Sequence, residues 1–262
     1  MKRAMREPIE ISRRLVVGGG SLFGLLFLTG CQGSGGTASA DLPGPVAPSP
    51  PTPSPGPMLP PITQRSAPNL PRADAAPTGV LPRSAWTNAG VARASDINPM
   101  NGVERITIHH DGMSPFTSPA QADAARRIEM IRASHVKGSS QNSPFADIGY
   151  HYIIDPAGRV WEGRSTRYQG AHVSQNNEHN LGIMCLGNYD LQRPSQATLT
   201  TLDRFVASQM RRYNVPLARV KTHREINPTA CPGANLQSYM VATRSRGGGL
   251  RLACAELDVR IA

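Results

Sequence analysis

The stretch VKTHREINPTACPG runs from Val220 to Gly233, and its reading constrains the rest of the chain. Ala218 to Thr222 reads as a short strand leading into it. Pro228 and Pro232 forbid a continuous helix through the remainder. The expectation is a fixed loop that follows a strand and holds His223 and Cys231 toward one point. Imidazole and thiolate are side chains that a zinc ion prefers. Two ligands make no catalytic site, so a third must come from elsewhere. ITIHHDG, Ile106 to Gly112, offers histidines at the end of another strand. Three protein ligands and one open position is the pattern of a hydrolytic zinc rather than a structural one. The same residues admit a rival chemistry, with Cys231 as nucleophile and His223 or His109 as its base. That rival lacks a helix N-terminus beside Cys231 to lower the thiol pKa.

Outward from this loop, strand and helix patterns alternate. Val103 to His109 reads as a strand, and its end places His109 and His110 on opposite faces. Ser118-Pro119 carries the preferred cap and first residues of a helix, continued by Ala122, Ala125, Ile128 and Ile131 at helical spacing. Tyr150 to Ile154 and Arg159 to Gly163 read as strands joined by the turn Asp155-Pro-Ala-Gly158. Gly170 to Asn180 is polar and turn-rich, which predicts a surface loop. Leu181 to Leu186 reads as a further strand. Ser195 caps a helix with Leu199, Leu202, Val206, Met210 and Tyr213 on one stripe. Asn235 to Thr243 suggests a last short helix. Strands and helices alternating at this spacing predict an α/β domain over residues 81–245, with a central mixed β-sheet flanked by helices. The Trp86 indole is expected to latch the N-terminal end onto the body. Residues 246–262 form a tail that no pattern places.

The N-terminal third cannot build such a core. Lys2, Arg3, Arg6, Arg13 and Arg14 precede a Gly-broken apolar run from Leu15 to Leu28, too short for a comfortable membrane span. Residues 1–30 therefore read as an export signal. Ser12 to Val17 resembles a twin-arginine signal, and the general secretory route stands beside it. Leu28-Thr-Gly-Cys31 resembles a bacterial lipobox, in which cleavage leaves a lipidated Cys31 at the mature N-terminus. Residues 31–80 then form a proline-rich, disordered stalk of about 3 Å per residue, on the order of 100 Å if extended. The expected location is the bacterial cell envelope, with a lipoprotein membrane anchor.

Charge and cysteine content narrow the partners. Removing residues 1–30 takes away five basic and two acidic residues and lowers the net charge from +10 to +7. That balance suits either an anionic wall polymer or lipid surface, or solubility alone. No run of Lys/Arg interleaved with aromatics calls for nucleic acid. After Cys31 only Cys185, Cys231 and Cys254 remain, which excludes a dense disulfide framework. Cys185 lies in a buried-strand pattern and reads as a small core residue.

Five ordered motifs carry a family resemblance. They are Ile108-His-His110, Asp147-Ile-Gly-Tyr-His-Tyr-Ile-Ile154, Gly158-Arg-Val-Trp-Glu-Gly-Arg164, Asn180-Leu-Gly-Ile-Met-Cys-Leu-Gly187 and His223 to Gly233. Over roughly Arg83 to Tyr239 the chain resembles the zinc amidases that include peptidoglycan recognition proteins and amidase-type phage lysozymes. The resemblance implies Zn2+ held by His109, His223 and Cys231, with His110 as a neighbour. It implies hydrolysis of the amide between N-acetylmuramic acid and L-alanine in peptidoglycan. Tyr150 matches the catalytic tyrosine. Thr229 stands where some members carry lysine, and can hold the developing charge or the nucleophile by hydrogen bonding. Binding-only receptors on the same fold commonly lack a ligand, and this chain lacks none. Arg164, His172 and Asn180 are expected to line the groove for glycan and stem peptide, Arg164 by bidentate pairing with a carboxylate. Trp161 reads as core rather than as a sugar platform, and His135, His151 and His179 receive no role.

Overall fold

The computed structural model describes residues 79–138, 143–259 and 261. The export signal, Cys31 and the stalk lie outside the described residues, apart from the stalk's last two. The described strands are β1 (Val80–Leu81), β2 (Arg105–His110), β3 (Tyr152–Ile154), β4 (Val160–Glu162), β5 (Asn180–Cys185) and β6 (Val220–Thr222). They form one sheet in the order β1-β4-β3-β5-β2-β6. Only β3 and β4 run antiparallel, joined by the tight turn at Asp155 to Gly158, so the sheet is mixed as the pattern predicts. Asp155 is fully buried and anchors that turn. Its carboxylate accepts from the Ala157 and Arg159 amides and from the Trp161 indole N–H.

The sheet has two covered faces, which explains why every residue of β2 and β5 is buried. On one face Ile106, Ile108, Leu181, Ile183 and Val220 pack under the helices α2 (Gln196–Tyr213), α3 (Ala234–Arg244) and α4 (Gly249–Glu256). On the other, Ile153, Trp161 and Met184 meet α1 (Gln121–Lys137) through Ala124, Ile128 and Ile131. Trp86 joins this second cluster, and its indole donates to the Glu162 carbonyl at 2.7 Å, so it latches as expected. Ser195 caps α2 by accepting the Thr198 amide, and Leu202, Val206 and Met210 are buried.

Three sequence expectations need correction. The helix α1 begins at Gln121, after an Ala120 cap that offers no side-chain acceptor. Ser118 instead donates its hydroxyl to Asp123. Within α1, Ala122 is exposed and Arg127 is buried, because Arg127 pairs with Asp111 at the end of β2 (2.8 Å). The domain also does not stop at Ser245. Beyond it, α4 lies against α2, with Leu250, Ala253 and Cys254 buried in the core. Asp203 of α2 organises this contact. It accepts the hydroxyls of Tyr239 and Thr243, and Thr243 in turn accepts the Leu250 amide. Among the described residues no helix is long and apolar enough to cross a membrane.

Docking of α4 is directly testable. Leu250→Ala removes a fully buried side chain, so stability should fall by about 2–5 kcal/mol. A urea titration would register this as a lower midpoint with unchanged slope. A midpoint equal to that of the native protein would mean that α4 is not part of the cooperative unit.

Candidate metal centre

The parallel pairing of β2 with β6 sets Ile108 opposite Thr222. One residue further along each chain stand His109 and His223, which the register therefore brings side by side at the carboxyl ends of the strands. Their ring centroids are 4.8 Å apart. After His223 the chain makes a 3-10 turn over His223–Glu225 and loops back. Arg224 pins the return, its amide donating to the Cys231 carbonyl and its guanidinium to the Thr229 and Ala230 carbonyls. Thr229 Oγ1 accepts the Cys231 amide at 3.2 Å. The loop delivers Cys231 Sγ to 3.5 Å from His109 Nδ1.

His109, His223 and Cys231 thus offer three ligand atoms within 4.8 Å of one another. Zinc bonds of about 2.0 Å to nitrogen and 2.3 Å to sulfur, set tetrahedrally, separate the two donors by roughly 3.5 Å. The His109–Cys231 distance matches that, and the two-nitrogen, one-sulfur set suits the ion. The residues fit zinc. His110 diverges to the other side of β2, where its Nδ1 accepts the Tyr189 amide. The alternation predicted for the histidine pair is what separates them.

Burial dominates the electrostatics. His109 is completely buried, and desolvation, reinforced by His172 and His223, holds its pKa well below the ordinary value. Desolvation, with His110 adding to it, lowers His223 as well. Both rings are therefore neutral at pH 7, with lone pairs free for a metal. Burial pushes the Cys231 thiol up to about 12, with Arg224 opposing the rise. The same effect, aided by Cys231 and Asp111, holds the Tyr150 phenol well above its usual value, so Tyr150 remains an O–H donor. Its ring lies 5.1 Å from that of His109. A cavity of about 240 Å3 opens beside it, lined by Ser134, His135, Phe145, Ala171 and His172.

Arg164 and Asn180 depart from the expected groove role, whereas His172 stays on the wall of the cavity beside Tyr150. Arg164 is 4% exposed and spends its guanidinium on the carbonyls of Ile148, Gln169 and Asp147. Burial lowers its pKa to about 10. Three of its five N–H donors are thus held by main-chain carbonyls. Asn180 is fully buried, accepting from Thr107 and donating to the Asn176 carbonyl. Both ring nitrogens of His172 are engaged, Nδ1 at 3.0 Å from His109 Nε2 and Nε2 at 3.1 Å from the Asn180 carbonyl. The polar composition of Gly170 to Asn180 hides this, because Ser174, Gln175 and Glu178 are exposed while His172 and Asn180 are buried. Sequence reasoning also missed Asp111, which accepts from Arg127 and from the Gly187 amide and so ties the end of β2 to the chain after β5. Its position directly after the histidine pair was the available signal.

With this geometry in view, residues 99–234 match the profile of the N-acetylmuramoyl-L-alanine amidase family, and the chain belongs to that family. A peptidoglycan-recognition protein of Drosophila melanogaster is 30% identical over 158 residues, which cover 60% of this chain and 82% of that protein. The crystal structure of Drosophila peptidoglycan recognition protein SD, 26% identical, superposes with a TM-score of 0.51 over 59% of this chain and 88% of that one. Drosophila PGRP-LB in complex with tracheal cytotoxin, 23% identical, shares the fold at a TM-score of 0.55, over 62% and 93% of the two chains.

Metal binding should release one proton from the ligand side chains at pH 7, and up to one more from a zinc-bound water. The histidines are neutral there because their pKa values are depressed, so the buried thiol alone must ionise. Zinc affinity should accordingly rise at least about tenfold per pH unit between pH 7 and 9. Calorimetry in buffers of different ionisation enthalpy counts the protons. A count above two would mean that a histidine ligand is charged in the metal-free protein, against the effect of its burial.

Proposed function

We propose that this protein is a zinc-dependent amidase that hydrolyses the bond between N-acetylmuramic acid and L-alanine in peptidoglycan. The observation that carries the reading is the convergence of His109, His223 and Cys231 beside Tyr150 in a member of this family. All three ligand residues are present, and the Tyr150 ring lies beside that of His109.

Bound zinc would supply a Lewis acid for the amide carbonyl and an acidified water as nucleophile. The chain supplies the rest. Hydrolysis adds water across the amide, leaving a carboxylate on the lactyl group of the sugar and a free amine on L-alanine. Negative charge develops on the carbonyl oxygen as the bond opens. Tyr150, kept protonated by its surroundings, donates toward that charge rather than acting as a base. Thr229 holds the Cys231 amide with its oxygen and keeps its hydroxyl proton available as a second donor. The cavity flanked by Tyr150 and His135 gives room for part of the substrate next to Tyr150 and His172, whose rings pack on His109.

The export reading belongs to the same proposal. A lipidated Cys31 behind the Leu28 to Cys31 motif, followed by a proline-rich stalk, would hold the enzyme in the cell envelope within reach of the wall. A second reading, a peptidoglycan receptor without turnover, draws on the recognition proteins among the relatives.

Incubation of the purified protein with peptidoglycan separates the two. New N-terminal L-alanine is expected with zinc, and none with a chelator or in Cys231→Ser. Tyr150→Phe should lower kcat by roughly 100- to 1,000-fold, the loss seen when one oxyanion donor is removed, with zinc retained. Binding to the polymer by a zinc-loaded protein that releases no amine would leave the receptor reading.

A further inference from the structure

His109 can offer its Nδ1 lone pair to a metal only if the proton of the neutral ring sits on Nε2. The position of that proton is set by what Nε2 meets. It meets Nδ1 of His172 at 3.0 Å. The other nitrogen of His172 faces the Asn180 main-chain carbonyl at 3.1 Å, an atom that can only accept. Nε2 of His172 therefore carries a proton, and in the neutral ring its Nδ1 is an acceptor. That acceptor draws the His109 proton to Nε2 and leaves Nδ1 bare, facing Cys231 Sγ at 3.5 Å.

We infer that His172 is a positioning residue that selects the metal-binding tautomer and ring orientation of His109, relaying a hydrogen bond from the Asn180 carbonyl. The inference rests on the reading of His109, His223 and Cys231 as a metal site. Ligating histidines commonly hold their second nitrogen against a carbonyl or carboxylate. In this protein a second imidazole stands between the ligand and the carbonyl.

The surroundings fix the relay in place. His172 is 7% exposed and lies flat over Gly182 of β5. A Cβ at Gly182 would come within 2.6 Å of the His172 ring, and one at Gly170 within 2.3 Å. The backbone on either side is held by Asn177, whose side-chain oxygen accepts the amides of His172 and Val173. Asn180 is itself braced by Thr107, which neighbours His109 two residues earlier on the same face of β2. The ring can neither swing away nor present its nitrogens to solvent.

Two conservative variants separate positioning from mere packing. His172→Asn keeps an acceptor near the place of Nδ1, whereas His172→Gln keeps a donor near the place of Nε2 and withdraws the acceptor. Nitrogen-15 spectra of the metal-free native protein should show His109 protonated on Nε2. His172→Gln should transfer a substantial share of that proton to Nδ1 and weaken zinc about 10- to 100-fold in chelator competition, the range for losing such a partner. His172→Asn should retain the native tautomer and hold the loss to about fivefold or less, below that range. Equal losses in both variants, with the tautomer unchanged, would reduce His172 to a packing residue. A native His109 protonated on Nδ1 would overturn the inference without any variant. None of these readouts uses substrate, so a protein that bound peptidoglycan without cleaving it would leave the inference standing.

Discussion

The register of β2 against β6 is the constraint on which the site depends. Ile108 pairs with Thr222, and the residues that follow are His109 and His223. A slip of one residue would turn one ligand to the opposite face of the sheet. That register is held by burial on both faces, with Ile106, Ile108 and Val220 under the α2–α4 layer and His109 on the side of α1. The open ends of parallel strands are where α/β sheets place their ligands, and the loops leaving β2 and β6 follow that rule. Cys231 arrives afterwards, on a return loop tied to the turn by Arg224 and Thr229.

A buried cluster of imidazoles is unfavourable for positive charge, and the molecule uses that. His109, His151 and His172 are all desolvated and all pushed toward the neutral form, His151 to about 4. Their polar atoms are nonetheless satisfied, His151 by the Tyr168 carbonyl and the Gly182 amide. Among the described residues, the ring nitrogens turned toward the thiol are those a metal would take. Neutral nitrogen donors beside a sulfur that must ionise give a site whose charge changes chiefly at Cys231.

Much of this was legible in the sequence because it followed local rules. Prolines marked the loop that carries His223 and Cys231, alternation marked β2, a buried-strand run marked β5, and Ser195 announced α2. The departures arise where a polar residue is satisfied by partners far away in the chain. Arg164 looks like a carboxylate receptor until its three carbonyl partners are in place. His172 sits in a segment whose composition says loop, and only tertiary structure puts it against His109. The α4 helix follows a triple glycine and carries too short a pattern to be read without the α2 surface that receives it.

The most direct test is the coordination of zinc by the purified protein, measured by metal analysis together with X-ray absorption at the zinc edge. One zinc per chain is expected, with one sulfur at about 2.3 Å and nitrogen or oxygen neighbours at about 2.0–2.1 Å. A metal shell without sulfur, or a protein that takes up no zinc, would contradict the assignment of His109, His223 and Cys231 as a single site.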